Sequence, residues 1–337
     1  MSDLKNLEQL RECGFEIAGA KKVLVANDSA MAQDADIMIS QNNFGVPQEF
    51  TTYLDPQVVD IIQAVKNAKE CYSEVKKGDF TTTIDKFRVN DLVGNTVDYS
   101  DFNNDGVVNT NYNWEYRDNY LFQTVMNYGD LETEVSSRAK ISLASDKQRA
   151  AATIIEQDFN KFDVYGVENK IIYGMINDPN LNTPITPAQG AAGSALWEQK
   201  TTKEIFADIL AAFKQLQKQL IGHADQSEEL LLILDPTSKV YLNTATDFNV
   251  SVYKMLQDAF PKLRIVAMPE YATAGGNLMQ LVKPTIEGQP TAQLGFSQKF
   301  KGSRIIPELS SYKQKFTAGT YGFICFRPAA IAQMLGI

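Results

Sequence analysis

Histidine is almost absent from this 337-residue chain; His223 stands alone. No multi-histidine metal site can be built, and any Ser-His-Asp or Cys-His relay would have to run through that single ring. His223 follows Gly222 at the end of a helical pattern, where the helix dipole favours a cation, so it reads as a structural residue. Cysteine is nearly as scarce: Cys13, Cys71 and Cys325 form an odd set of three without Cys-x-x-Cys spacing. Neither a disulfide framework nor a zinc knuckle is indicated. No Gly-x-Ser-x-Gly elbow, Walker A loop or Gly-x-Gly-x-x-Gly turn occurs, which removes the usual footholds for nucleotide-dependent chemistry. Long hydrophobic runs are lacking too. Leu230 to Leu234 is as long as any, against roughly 20 residues for a membrane-spanning helix, and no basic stretch leads into an apolar one at the amino terminus. These features predict a soluble chain without an export signal or membrane partner.

What is present describes a folded protein of one large or two ordinary domains, with 44% hydrophobic and 22% charged residues. The formal net charge of −9 argues against a protein whose main task is gripping nucleic-acid phosphates. The charge is uneven. From Thr291 onward Lys299, Lys301, Arg304, Lys313, Lys315 and Arg327 face a single acid, Glu308, whereas the remainder is strongly acidic. Ends of opposite sign suit a self-associating subunit, although a solvated strand face explains the same pattern.

Along the chain, residues 1–55 read as an arm without sustained periodicity. Asp55 and Pro56 then mark a helix start, Val58, Ile61, Ile62 and Val65 supply its stripe, and the helix is expected to end near Lys77-Gly78. Residues 80–123 are rich in Thr, Val, Tyr, Phe and Trp. With turn clusters at Gly94-Asn95 and Asn103-Asn104-Asp105-Gly106, they predict a long β-hairpin. Seven acids and three bases between Asp85 and Asp118 leave this hairpin too polar to form a core of its own. Packing on another molecule is one solution.

Residues 130–162 carry the longest helical pattern, with Leu131, Val135, Ala139, Leu143, Ala151, Ile154, Ile155, Phe159 and Phe162 on one stripe. A continuous helix there would span about 50 Å. The turn-rich stretch after Gly166 suggests a domain crossing. Thr201 and Glu204 then open a helix as a capping box, and Gly222 closes it. A strand at 230–234, a helix at 246–260 and a strand at 263–268 suggest a parallel pair. Further strands are expected at 278–282, 312–316 and 321–326, with a turn at Ala318-Gly319, and a final helix at 328–335.

Three patterns invite a chemical reading. Asp101, Asn103, Asp105 and Gly106 match the first half of a calcium loop, but Tyr112 stands where a bidentate Glu belongs and the flanks are strand-like, so a turn is expected. Acid pairs such as Asp34/Asp36 or Glu132/Glu134 could serve glycoside hydrolysis, yet among 41 acids such a pairing has no specificity. Tyr112, Trp114, Tyr116 and Tyr120 alternate on one strand face. Without nearby bases they read as a packing face and not as a stacking platform for nucleotides or sugars.

Local wording adds a resemblance. The segments YGDLE (128–132), SDKQRAAA (145–152), YGVENKIIYGMINDPNL (165–181) and GTYGFICFRPAAI (319–331) are similar to a branch of phage and prophage capsid proteins long known only as a conserved bacterial family. The order of elements resembles the Hong Kong 97 type fold of tailed-phage major capsid proteins, and the likeness runs from about Phe44 to the end. It implies an α+β fold with an N-terminal arm (1–55) and a peripheral domain (56–185). That domain would carry an extended loop (80–123) and a spine helix (130–162). An axial domain (186–273) and a return to peripheral strands and a C-terminal helix (274–337) complete the outline.

The implied function is a shell subunit that joins copies of itself into hexamers and pentamers around double-stranded DNA in a virion. Portal and scaffolding proteins are the implied partners, and the host bacterial cytoplasm the place of assembly. No catalytic residue, metal or cofactor is implied. The contact residues would be Phe87, Val89, Val97, Tyr99, Phe102, Val107, Val108, Tyr112 and Trp114 on the extended loop. Some relatives link a loop lysine to a neighbour's asparagine; here the loop offers only Lys86, at its base, so that chemistry is not carried over. Two rivals stay open at this point: a shell of the same fold around protein cargo, and a monomeric hydrolase using two carboxylates.

Overall fold

A computed structural model describes residues 66–139, 142–245 and 250–337. The arm, Cys13 and the helix start at Asp55 lie outside the described residues. So does the Asp34/Asp36 pair.

The described residues open with a single helical turn, α1 (Ala68–Cys71), followed by the short strand β1 (Glu74–Lys76). The helix expected to reach Lys77 therefore ends early. The reason is packing: Tyr72 is buried edge-on against Phe323 at 5.1 Å, and β1 spends its backbone groups on a parallel pairing with β11. The hairpin strands β2 (Ile84–Gly94) and β3 (Val108–Asp118) follow, then β4 (Tyr120–Gly129).

The spine expected as one helix is two, α2 (Asp130–Arg138) and α3 (Leu143–Tyr165). In α2 the hydroxyls of Ser136 and Ser137 both donate to the Thr133 carbonyl, competing with the helix ladder. Its stripe residues Leu131 and Val135 are exposed, so no core holds that half to the axis of the other. At about 1.5 Å per residue α3 alone spans about 35 Å.

Next come α4 (Thr202–Gln219), β5 (Leu230–Leu234), α5 (Pro236–Tyr241), α6 (Val252–Ala259), β6 (Leu263–Ala267), β7 (Ala272–Thr273) and β8 (Gly276–Val282). The helix predicted at 246–260 is thus shorter, starting at Val252 after the N-cap Ser251, whose side chain accepts from the Lys254 N–H. Residues 246–249 lie outside the described residues. The chain closes with β9 (Thr285–Ile286), β10 (Gln289–Pro290), β11 (Ala292–Gly302), β12 (Ile306–Pro307), β13 (Ser311–Cys325) and β14 (Ile331–Leu335).

Two sheets organise the body. The first runs β1-β11-β13, with β4 on the far side of β13 and β12 also paired to β13. The second runs β14-β8-β5-β6, with β5 and β6 parallel as expected and β5 antiparallel to β8. Strands after residue 274 are therefore shared out: β11 and β13 join the first sheet, whereas β8 and β14 join β5 in the second. The final helix expected at 328–335 is a 3-10 turn, Pro328–Ala330, leading into β14. Ile331, Ala332, Gln333 and Met334 are all buried because both faces of that sheet are covered, which erases any strand alternation.

The turn expected at Ala318-Gly319 is also absent, since β13 is a single strand of 15 residues. A Cβ on Gly319 would lie 2.2 Å from the Ser297 hydroxyl and 2.7 Å from Leu121, so this glycine serves close strand packing.

One face of the second sheet carries α4 and α6. Ile205, Ile209, Phe213 and Leu216 meet Leu230, Leu232, Leu234 and Met279, and Phe213 packs edge-on against Phe260 at 4.9 Å. The capping box that opens α4 forms as expected, with Glu204 accepting from the Thr201 N–H at 2.8 Å. Asp208 fixes the seat of buried Trp197 by accepting its indole N–H at 3.0 Å, and pairs with Lys200 at 2.5 Å. The opposite face, with Leu231, Ile233, Val266 and Val282, meets Met175, Leu294, Phe323 and Cys325 and ties the two sheets together. Buried Gln280 is satisfied within this layer by the Tyr271 hydroxyl and the Met175 carbonyl. Helix α3 lies on the first sheet, where Ala151, Ile155 and Phe159 pack on Met126, Phe316 and Ala318. Cys71 and Cys325 are free thiols, and burial pushes both up to about 12.

Gly322, near the end of β13, has φ +69°, and a Cβ there would meet Ile172 at 2.7 Å and the Tyr173 carbonyl at 2.8 Å. This is where the loop after α3 is stitched to the sheet, through the Phe323 N–H donating to Tyr173 at 3.0 Å. The substitution Gly322→Ala is expected to destabilise the fold by about 1–3 kcal/mol, read as a lowered urea midpoint at unchanged slope.

Candidate inter-subunit surface

Strands β2 and β3 pair antiparallel without a register break, from Ile84 opposite Asp118 to Gly94 opposite Val108. They form a two-stranded sheet that no further described strand joins. Residues directly opposite share a face, so Lys86/Tyr116, Arg88/Trp114, Asn90/Tyr112 and Leu92/Thr110 line one side of the ribbon. The Arg88 guanidinium lies over the Tyr112 ring at 5.0 Å. Tyr112, Trp114 and Tyr116 are exposed, so the aromatic stripe is a face that no other described element packs over.

The base is a clamp. Arg117 is buried between the rings of Phe87 at 5.5 Å and Tyr173 at 4.9 Å, with Asp178 and Glu115 each 3.6 Å from its guanidinium. Burial raises the Asp178 carboxyl above the ordinary aspartate range even though the guanidinium faces it. Phe87 packs edge-on against Phe326 at 5.4 Å. Lys77 sits over both rings and pairs with Asp85 at 3.0 Å. The carboxylate of Asp118 accepts from the Ile171 N–H at 3.0 Å, and Asn119 donates to the Thr82 carbonyl at 2.7 Å.

Of the nine residues proposed for contact, Phe87 therefore belongs to this anchor and is half-buried in its own subunit. Val89, Val97, Tyr99, Phe102, Val107, Val108, Tyr112 and Trp114 are exposed, Tyr99 at 91% and Phe102 at 98%. Leu92 and Val93 share that exposure and were missed by the sequence reading, although their apolar character beside the Gly94 turn was a usable signal.

The tip, residues 95–107, holds itself by local bonds. Asn103 accepts from the Asp105 N–H at 2.9 Å, and Tyr99 donates to Asp101 at 2.6 Å, which raises the phenol's pKa. Asp101 and Asn103, two of the residues that suggested a calcium loop, thus spend their side-chain oxygens on bonds within the tip. Among the described residues no group of three or more His, Cys, Asp or Glu side chains is placed to hold a metal ion. Glu132, one of the acids considered for hydrolysis, pairs with Lys147 at 2.6 Å, and that lysine holds its carboxyl below the usual range.

An anchored ribbon projecting from a two-sheet body with a long helix is the architecture of tailed-phage shell subunits, the Hong Kong 97 type. The capsid protein of Myoviridae phage XM1 superposes with a TM-score of 0.71 at 10% identity, covering 88% of this chain and all of that one. The capsid of a native GTA particle aligns at a TM-score of 0.58 and 7% identity, over 91% and 98% of the two chains. Mycobacterium phage Che8 aligns at 0.55 and 12% identity, over 88% and 98%. No curated protein matches the sequence itself. The model of the Pa193 gp26 major capsid protein family matches residues 37–336, and the chain belongs to that family. It is a major capsid protein of a tailed bacteriophage, a structural subunit that associates with copies of itself in the virion shell.

Replacing Arg117 with Ala would leave Asp178 buried without its partner, at a cost of about 3–5 kcal/mol. We expect R117A to open the clamp and speed protease cleavage within 84–118, with the α4 core still folded by circular dichroism. Unchanged cleavage would count against the clamp.

Proposed function

We propose that the subunits form hexameric and pentameric rings that close into an icosahedral shell around double-stranded DNA, each laying its β2–β3 ribbon over an adjacent subunit. The observation that carries this reading is the ribbon itself: eight of the nine expected contact residues are exposed on a two-stranded element that, among the described residues, is clamped only at its base. A hairpin of that kind is marginal in water, and burial on a neighbour supplies the missing face. Repetition of one contact around a closed lattice gives high total stability from modest pairwise terms.

In this reading the region 186–273 with its sheet faces the ring centre, α2 and α3 form the spine, and the first sheet lies at the periphery. The net charge of −9 suits a container that must not adsorb its genome tightly. Portal and scaffolding proteins are the further partners, and assembly takes place in the cytoplasm of the host bacterium. Deleting residues 98–109 is expected to leave a soluble subunit, slightly below the 37.5 kDa of the full chain, that no longer sediments as particles. Shells of normal size from this deletion would contradict the role.

A further inference from the structure

A cleft of about 490 Å³ opens beside β11, just past the end of β1. Among the described strands β1 covers β11 only from Leu294 to Phe296, and the ladder between β11 and β13 shifts register three times between Gly295 and Lys301. The edge of β11 that no described strand pairs beyond Phe296 and the segment before β2 become its walls. Lys76, Phe80, Phe296, Lys299, Phe300 and Lys301 line it, with Asp79 as the single acid. Lys299 lies over Phe296 at 4.8 Å and Lys301 over Phe80 at 5.4 Å, so ammonium groups and ring faces alternate across the opening. The neighbouring acids take part of this charge: Glu74 pairs with Lys299 and Lys69, and Asp79 with Lys76 at 3.4 Å. Three lysines against one aspartate still leave the lining cationic.

The ribbon tip has the opposite character. Between Val89 and Tyr116 there is no lysine or arginine, and the tip carries Asp98, Asp101 and Asp105 around Tyr99 and Phe102. The cleft has the size of sites that take a drug-sized ligand, enough for a pair of aromatic side chains. The tip cannot fill its own cleft: β2 starts four residues after Phe80 and leads away for 11 residues, about 35 Å at roughly 3.4 Å per residue.

We infer that the acidic, aromatic tip of one copy's ribbon seats in the lysine and phenylalanine cleft beside β11 of a second copy. This rests on the overlap proposed above and names the surface that receives it. Tyr99 and Phe102 are the anchors, and the aspartates meet Lys76, Lys299 and Lys301 at the rim, where they set register and encounter rate.

Two measurements test it. Phe102 is replaced with photoreactive p-benzoyl-phenylalanine, particles are assembled from mixed isotopically heavy and light chains, and adducts are mapped after irradiation. Adducts joining position 102 to peptides spanning 76–80 or 296–301 of another copy are expected. Adducts to another copy elsewhere, including its residues 1–65, would overturn the cleft assignment and leave the overlap standing. Adducts confined to the same chain, or none, would overturn both. In parallel, D98K/D101K/D105K is expected to cut particle yield about tenfold, and adding K76E/K301E to the same chain to restore most of it. Failure of that rescue in chains that fold normally would contradict the ionic part.

Discussion

The structure depends on a mismatch between strand pairing and burial. The β2–β3 ribbon satisfies its backbone hydrogen bonds by pairing with itself, but two strands have no interior, so its apolar and aromatic side chains are left facing water. Among the described residues only the base finds cover, where Phe87 and Tyr173 sandwich the Arg117 guanidinium and Asp178 faces it from the body. That buried ion pair is costly to form and more costly to break, which makes it a device for fixing the angle of the ribbon more than for adding stability. A ribbon of fixed direction with an unfinished face is useful only if another molecule stands where it points.

The body supplies the rigidity this requires. The second sheet is covered on both faces, by α4 and α6 on one side and by the layer shared with the first sheet on the other. The strands bearing the clamp are continuous with that framework: β4 follows β3 after one residue and pairs with β13 over ten positions, from Ser311 to Thr320. Strand β13 in turn runs into the shared core at Phe323 and Cys325. The ribbon is therefore tied both to packed β-structure through β4 and, at its base, to the loop after α3 through Tyr173 and Asp178.

Much of this was legible in the sequence, and the misses share a cause. Turn residues and alternating Thr, Val and aromatic side chains located the hairpin, and the Thr201 and Glu204 pair located α4, because both signals are local. Tertiary pairing overrode local pattern elsewhere. Ala318-Gly319 read as a turn but sits inside β13, where the small side chain admits Ser297 and Leu121. Residues 328–335 read as a helix, but only Pro328–Ala330 form a 3-10 turn, and Ile331–Leu335, apolar apart from Gln333, are a strand covered on both faces. Helix α5 was missed although Asp235 and Pro236 give the same N-cap and first-position signal that was used at Asp55 and Pro56; here Asp235 accepts from the Thr237 and Ser238 N–H groups. At the surface, composition identified the ribbon and the basic carboxy-terminal region separately. The cleft between Phe80 and Lys301 needs residues more than 200 positions apart, and no local pattern could place them together.

The most direct test of the central claim is amide hydrogen exchange across 84–118, compared between the unassembled subunit and the finished particle. The account predicts fast exchange along the distal ribbon in the free subunit and strong protection once shells form, with the base around Arg117 protected in both. Equal protection of the distal ribbon in the two states would mean that it is already buried within its own subunit, and the account would fail.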